Sequence, residues 1–195
     1  MRTNWKKIMA AFVAIAVLAT GSLFASPAPS LDTPAYLSQR ASTLLSEIQE
    51  EAGQLGRDAE TLATFARNPQ YSWESHAFYL ERVKGHINAV GERTAELNQI
   101  SGSVLPWQQK AIGEVTSHAA QVAASTQAAI VHLNGNQHQL FASGYPGHLM
   151  TIADRSADMK QSVDKFLDYQ KAQQNYQEAE QRFLQLQNEL ELAVD

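Results

Sequence analysis

Residues 72–101 read SWESHAFYLERVKGHINAVGERTAELNQIS. Within them His76, Leu80, Val83, Ile87, Val90, Thr94 and Leu97 recur at alternating steps of four and three. That alternation averages about 3.5 residues, the spacing that keeps side chains on one face of a helix. A half-buried strand would alternate every second residue, and no stretch of this chain sustains such a pattern. Ser72 suits the N-cap, and Glu74 falls in the first turn, where the helix dipole favours negative charge. Ser101-Gly102 ends the segment. It predicts one amphipathic helix.

The same pattern continues on both sides. Upstream, residues 34–68 place Leu37, Ala41, Leu44, Ile48, Ala52, Leu55, Ala59, Leu62 and Ala66 on one face. Thr33-Pro34 suits a cap followed by a first-turn proline, and Asn68-Pro69 stops the helix. Downstream, residues 106–134 carry Ile112, Val115, Ala119, Val122, Thr126, Ala129 and Leu133, closed by Asn134-Gly135-Asn136. A fourth segment, 146–193, shows Leu149, Ile152, Ser156, Met159, Val163 and Phe166, then Tyr169, Ala172, Tyr176, Ala179, Phe183, Leu186, Leu190 and Ala193. Its two stripes meet at Phe166–Tyr169–Ala172 in two successive steps of three, which shifts the apolar face. The fold class is therefore all-α: an antiparallel up-down-up-down four-helix bundle in one domain spanning 34–195.

Helix lengths make the fourth segment unusual. At 1.5 Å per residue it would be about 72 Å long, against about 43–53 Å for the others. It must bend near 166–172 or project beyond the bundle. A projecting end leaves Tyr176, Phe183, Leu186 and Leu190 as an apolar stripe. Either the first helix covers that stripe, or another helix pairs with it in a coiled coil.

The N-terminus carries an address. Arg2, Lys6 and Lys7 precede an uncharged run from Ile8 to Leu18, followed by small residues before Ser26-Pro27-Ala28-Pro29. A basic start, an apolar middle and a small-residue exit are the features read by the export machinery. Residues 1–25 are expected to be a cleaved signal peptide or a retained N-terminal anchor, with 26–33 a linker. Both outcomes place the remainder outside the cytoplasm, periplasmic or secreted in the first case and anchored in the inner membrane facing outward in the second.

Composition narrows the function. Losing 1–25 removes three of 15 basic residues and none of 20 acidic ones, so the net charge falls from −5 to −8. Nucleic acid and anionic membranes call for clustered positive charge, so neither is an expected partner. The membrane enters only through an uncleaved N-terminus. The chain has no cysteine, which excludes disulfides, thiolate catalysis, iron–sulfur clusters and covalent c-type haem attachment.

Catalytic frames are missing. There is no Gly-x-Ser-x-Gly elbow, and the Glu-x-x-His repeat of di-metal bundles does not occur. The nearest approach to a metal site is Glu114 with His118, four apart on one helix face, joined by His86 from the neighbouring helix. Two ligands on one face are too few by themselves. Non-covalent haem would have to draw on His76, Met150 or Met159. No cofactor is expected. The connection 134–147 exceeds the usual two to eight residues between bundle helices, and long loops are often functional. In it, Phe141 and Tyr145 are the candidate contact residues, and Leu140 with Phe141 can dock on the bundle end. Tyr71 and Trp73 belong to the start of the second helix and Trp107 to the start of the third, so they cannot form one aromatic cage.

The expected function follows from the one strong signal, the apolar seams. The chain reads as an exported, non-enzymatic helical bundle acting by protein–protein contact or self-association in the cell envelope, as scaffold, adaptor or chaperone-like module. Its interaction residues would be Tyr176, Phe183, Leu186 and Leu190. The competing reading is a bundle that binds a small ligand or metal, haem included.

Overall fold

A computed structural model of the chain describes residues 33–68, 70–137, 140 and 144–192. The expected export segment at 1–25 and the contact residue Phe141 lie outside these residues. Among the described residues every regular element is helical: α1 (Pro34–Phe65), α2 (Trp73–Ile100), a short 3-10 turn (Ser101–Ser103), α3 (Pro106–Gly135) and α4 (Tyr145–Leu192). The four helices pack against one another, α1 on α2 and α4, and α3 on the same two.

Each start has a local cause. The Thr33 hydroxyl accepts from the Tyr36 amide at 3.4 Å, with Pro34 in the first turn. This occupies one of the four amides that a helix start leaves unpaired. Pro106 opens α3 in the same way, and there the Gln108 side chain accepts from the Leu105 amide at 3.0 Å. The Gln108 amide nitrogen donates to the Ser38 carbonyl at 2.7 Å and the Ser42 hydroxyl at 3.1 Å. One fully buried glutamine thus caps α3 and ties it to α1. Gly144, just ahead of α4, has φ +117°, a backbone shape that disfavours any side chain.

Two boundaries differ from the sequence reading. α1 ends at Phe65 rather than at residue 68, because the amides of Arg67 and Asn68 turn back to the carbonyls of Thr64 and Phe65. A residue preceding proline is pushed out of helical geometry, so the chain tightens before it reaches Pro69. α4 runs 48 residues as one helix and begins one residue early, at Tyr145.

The core is built from the predicted faces. In α1 Ala41, Leu44, Leu45, Ile48, Ala52, Leu55, Ala59 and Leu62 are buried, and the seven α2 positions from His76 to Leu97 are buried with them. Each α3 stripe position from Ile112 to Leu133 is also inside, as are Leu149, Ile152, Ser156, Met159 and Val163 of α4. Two polar residues within these seams are satisfied along their own helix: Thr94 donates to the Val90 carbonyl at 2.7 Å and Ser156 to the Ile152 carbonyl at 2.6 Å. Leu140 is buried, as expected of a loop residue docked on the helices. No described helix is long and apolar enough to cross a membrane.

Candidate functional site

α4 changes character along its length. Up to Val163 its stripe is inside the protein; from 171 to 190 every residue is exposed. Tyr176 is 70 %, Phe183 65 %, Leu186 59 % and Leu190 69 % exposed. The expected covering of this stripe by α1 is not what is found. α1 starts only at Pro34, and its contacts to α4 join Gln49 to Asp164, Gly53 to Lys160 and Gly56 to Ser156. All three lie on the buried stretch of α4. Beyond them the whole circumference of α4 from 171 to 190 faces solvent, so no neighbouring helix covers any face of it.

An aromatic corner marks where α4 leaves the bundle. Trp107 stacks on Phe166 with ring centroids 6.5 Å apart, and Tyr169 meets Trp107 edge-on at 6.0 Å. The Tyr169 hydroxyl accepts from Gln173 at 2.9 Å. Together with Lys110, Glu114 and Lys165 these rings line an open groove of about 480 Å³ between α3 and α4. The sequence reading did not bring these residues together. Its only trace of them was the phase shift, which falls at the mouth of the groove. Tyr71 stacks instead on Phe65, at 3.9 Å, so the aromatics do form separate clusters.

The remaining candidates are committed elsewhere. Tyr145, offered by the sequence as a loop contact, is fully buried as the first residue of α4, which removes it from the surface. Its hydroxyl lies 3.1 Å from His76 Nδ1, and His132 stacks on its ring at 5.5 Å. Burial pushes the Tyr145 phenol well above its ordinary range and holds His76 below its own, since neither charged form is solvated there. His76 is therefore neutral near pH 7. Met159 is plain core and Met150 is about half exposed.

His86 does not join Glu114 and His118. Its Nδ1 lies 2.8 Å from Glu51 and its Nε2 3.4 Å from Asp58, both on α1. Arg82 pairs with Asp58 at 2.9 Å, and Arg93 pairs with Glu47 at 2.8 Å. These groups form an ion-pair row that fastens α2 to α1. Among the described residues no group of three or more His, Cys, Asp or Glu is placed to hold a metal ion. Glu114 instead lines the aromatic groove.

Comparison of the chain with protein-family models, with curated proteins and with solved structures finds no significant match.

Proposed function

We propose that this protein is an exported, non-enzymatic helical bundle that works by protein–protein contact, with the free length of α4 as its contact element. The observation carrying the proposal is the solvent-facing row Tyr176, Phe183, Leu186 and Leu190 on a helix that continues well past its own bundle. Evolution toward solubility disfavours such rows, so a contiguous one marks a place where another surface sits. The basic-then-apolar start at 1–25 supports delivery to the periplasm or beyond, by cleavage or as an outward-facing anchor. A scaffold or adaptor role suits a rod-like projection on a rigid base.

An up-down-up-down order of the four helices belongs to this proposal. The ion pairs support it: along α1, Arg40, Glu47, Glu51 and Asp58 meet Glu96, Arg93, His86 and Arg82, so partner numbers fall as α1 rises. The short connections from α1 to α2 and from α2 to α3 favour the same order.

A photo-crosslinking residue placed at Phe183 of the full chain, in the cells that make it, tests the contact role. It should capture protein, whether another copy or a different chain. The same residue at Val131, 55 % exposed on α3, is the control and should capture far less. Equal capture at both positions, or none at Phe183, overturns the reading.

A further inference from the structure

We infer that the occupant of the exposed α4 face is a second copy of this chain, its α4 running in the opposite direction. The inference rests on the contact role proposed above and names the partner.

Residue size alternates along the stripe. From Ala172 the positions run Ala172, Tyr176, Ala179, Phe183, Leu186, Leu190, an unbroken alternation of four and three. Such spacing defines the two core positions of a two-stranded coiled coil. In a parallel, in-register pair each residue meets itself. Ala172 would face Ala172 and Ala179 would face Ala179, leaving gaps between layers of paired tyrosines and phenylalanines. Reversing one helix about the middle of the stripe pairs Ala172 with Leu190, Tyr176 with Leu186 and Ala179 with Phe183, each pair occurring twice. Both alanines then lie opposite a large residue, and the layers have more even volume. Well-packed cores reward that evenness, since gaps forfeit dispersion contacts that nothing replaces.

The same register also sets where the two bundles stand. In this register Leu192 of the second copy lies level with Gln170 of the first. Each copy therefore uses the other's whole exposed stripe. A parallel pair would instead bring two bundles side by side at the same level. The reversed pair keeps them at opposite ends.

Charge gives a second reason. The groove at that level holds two lysines, Lys110 and Lys165, against one carboxylate, Glu114, beside Trp107 and Tyr169. The arriving helix end carries the negative pole of its own dipole together with Glu189 and Glu191. An acidic helix end meeting two lysines is complementary; a helix N-terminus arriving there would not be.

One feature of the register opposes it and so sharpens the test. Near the two-fold axis Arg182 approaches Arg182 on one flank, and Glu180 approaches Glu180 on the other. Arg182→Gln removes the first repulsion, so it should tighten the pair. A parallel pair would set Arg182 against Gln187, and Arg182→Gln would leave its affinity nearly unchanged.

The chain contains no cysteine, which makes the register directly readable. Two full-length variants, Ala172→Cys and Leu190→Cys, carried on tags of different size, are purified as cells produce them and oxidised alone and mixed. The mixture should give a disulfide-linked hetero-pair, and neither variant alone should cross-link efficiently. In the proposed pair the two Ala172 positions lie about 27 Å apart, well beyond disulfide reach. Light scattering on the unsubstituted chain should show twice the mass of one chain. Phe183→Ala with Leu190→Ala should weaken the pair by roughly 100-fold or more, about 3 kcal/mol. Self-linking of each variant without hetero-pairs would overturn the reversed register. A monomer at all concentrations would overturn self-association. If that monomer still cross-links a different protein through Phe183 in cells, the contact role stands and only the identity of the occupant fails.

Discussion

The two ends of α4 have nearly the same apolar spacing and opposite surroundings. Leu149, Ile152, Met159 and Val163 have no exposed surface, whereas Tyr176, Phe183, Leu186 and Leu190 keep more than half of theirs. Full burial of such a side chain contributes on the order of 1.5–3 kcal/mol, so the first group helps hold the fold and the second contributes little within one chain. The lesson concerns what periodicity encodes. A four-three stripe states that a helix has a face to hide. It does not state whether the cover comes from the same chain.

The largest effects should separate these two stretches. Ile152→Ala removes buried methyl groups and leaves a cavity, and is expected to cost about 2–5 kcal/mol in denaturant unfolding. Leu186→Ala, measured at concentrations where the chain is monomeric, should cost less than about 0.5 kcal/mol. Ending the chain after Lys171 should likewise leave the monomer's midpoint nearly unchanged. A large loss from Leu186→Ala in a monomer would break the contrast, by showing that the free length is packed on its own bundle after all.

The stripes of α1, α2 and α3 were legible almost residue by residue, because burial in a bundle follows from helical periodicity within each segment. The excess length of the fourth helix was legible from arithmetic alone. What could not be read was every fact that depends on register between helices. The sequence places His86 beside Glu114 and His118 as readily as beside Glu51 and Asp58; only the packing of α2 on α1 chooses. Tyr145 looked like a loop residue because Pro146 follows it, yet it opens α4 and points inside against His76. Trp107 lies 59 residues before Phe166 and 62 before Tyr169, and nothing local announces that they meet. The cover of the α4 stripe by α1 failed for the same reason: how far two helices run side by side is set by their packing, and α4 from 171 to 190 is exposed on every face.

A smaller, pH-dependent effect sharpens the contrast from the bundle side. His76 is buried beside Tyr145 and titrates below its ordinary value of 6.5. The unfolded chain therefore binds this proton at a higher pH than the folded one does. Stability is unaffected by His76 above about pH 7. It falls as pH drops from about 6.5 to the lowered folded value, by up to about 1.4 kcal/mol per pH unit. His76→Gln can keep a partner for the Tyr145 hydroxyl and should remove that slope. Unfolding followed at pH 7 and pH 5.5 in both proteins measures the difference. The same comparison on the chain ended after Lys171 should give the same slope, because the free length of α4 contributes no buried titratable group. A slope that vanishes on truncation would tie the two regions together.

The smallest effect compares surface charge in the two regions. Arg40 grips Glu96 through two contacts, at 2.6 and 2.8 Å, and the hydrogen bond to Arg40 holds the Glu96 carboxyl below its usual range. With the two side chains 35 % and 41 % exposed, solvent screens most of that attraction. Glu96→Gln should cost about 0.2–1 kcal/mol near pH 7, and less in 1 M salt, where screening acts within about 3 Å. The sign in acid follows from the lowered carboxyl: the contribution is present above the ordinary carboxylate range and is lost as pH falls through it. Glu178, exposed on the free length of α4, is the counterpart. A charge there acts only on residues three or four away, by about 0.2–0.5 kcal/mol, and bears only on the local helix. Glu178→Gln should thus leave global unfolding of the monomer unchanged while slightly lowering the helical signal. If Glu178→Gln instead shifted global unfolding as far as Glu96→Gln does, the free length would be part of the cooperative fold, and its exposed stripe would need no second chain to explain it.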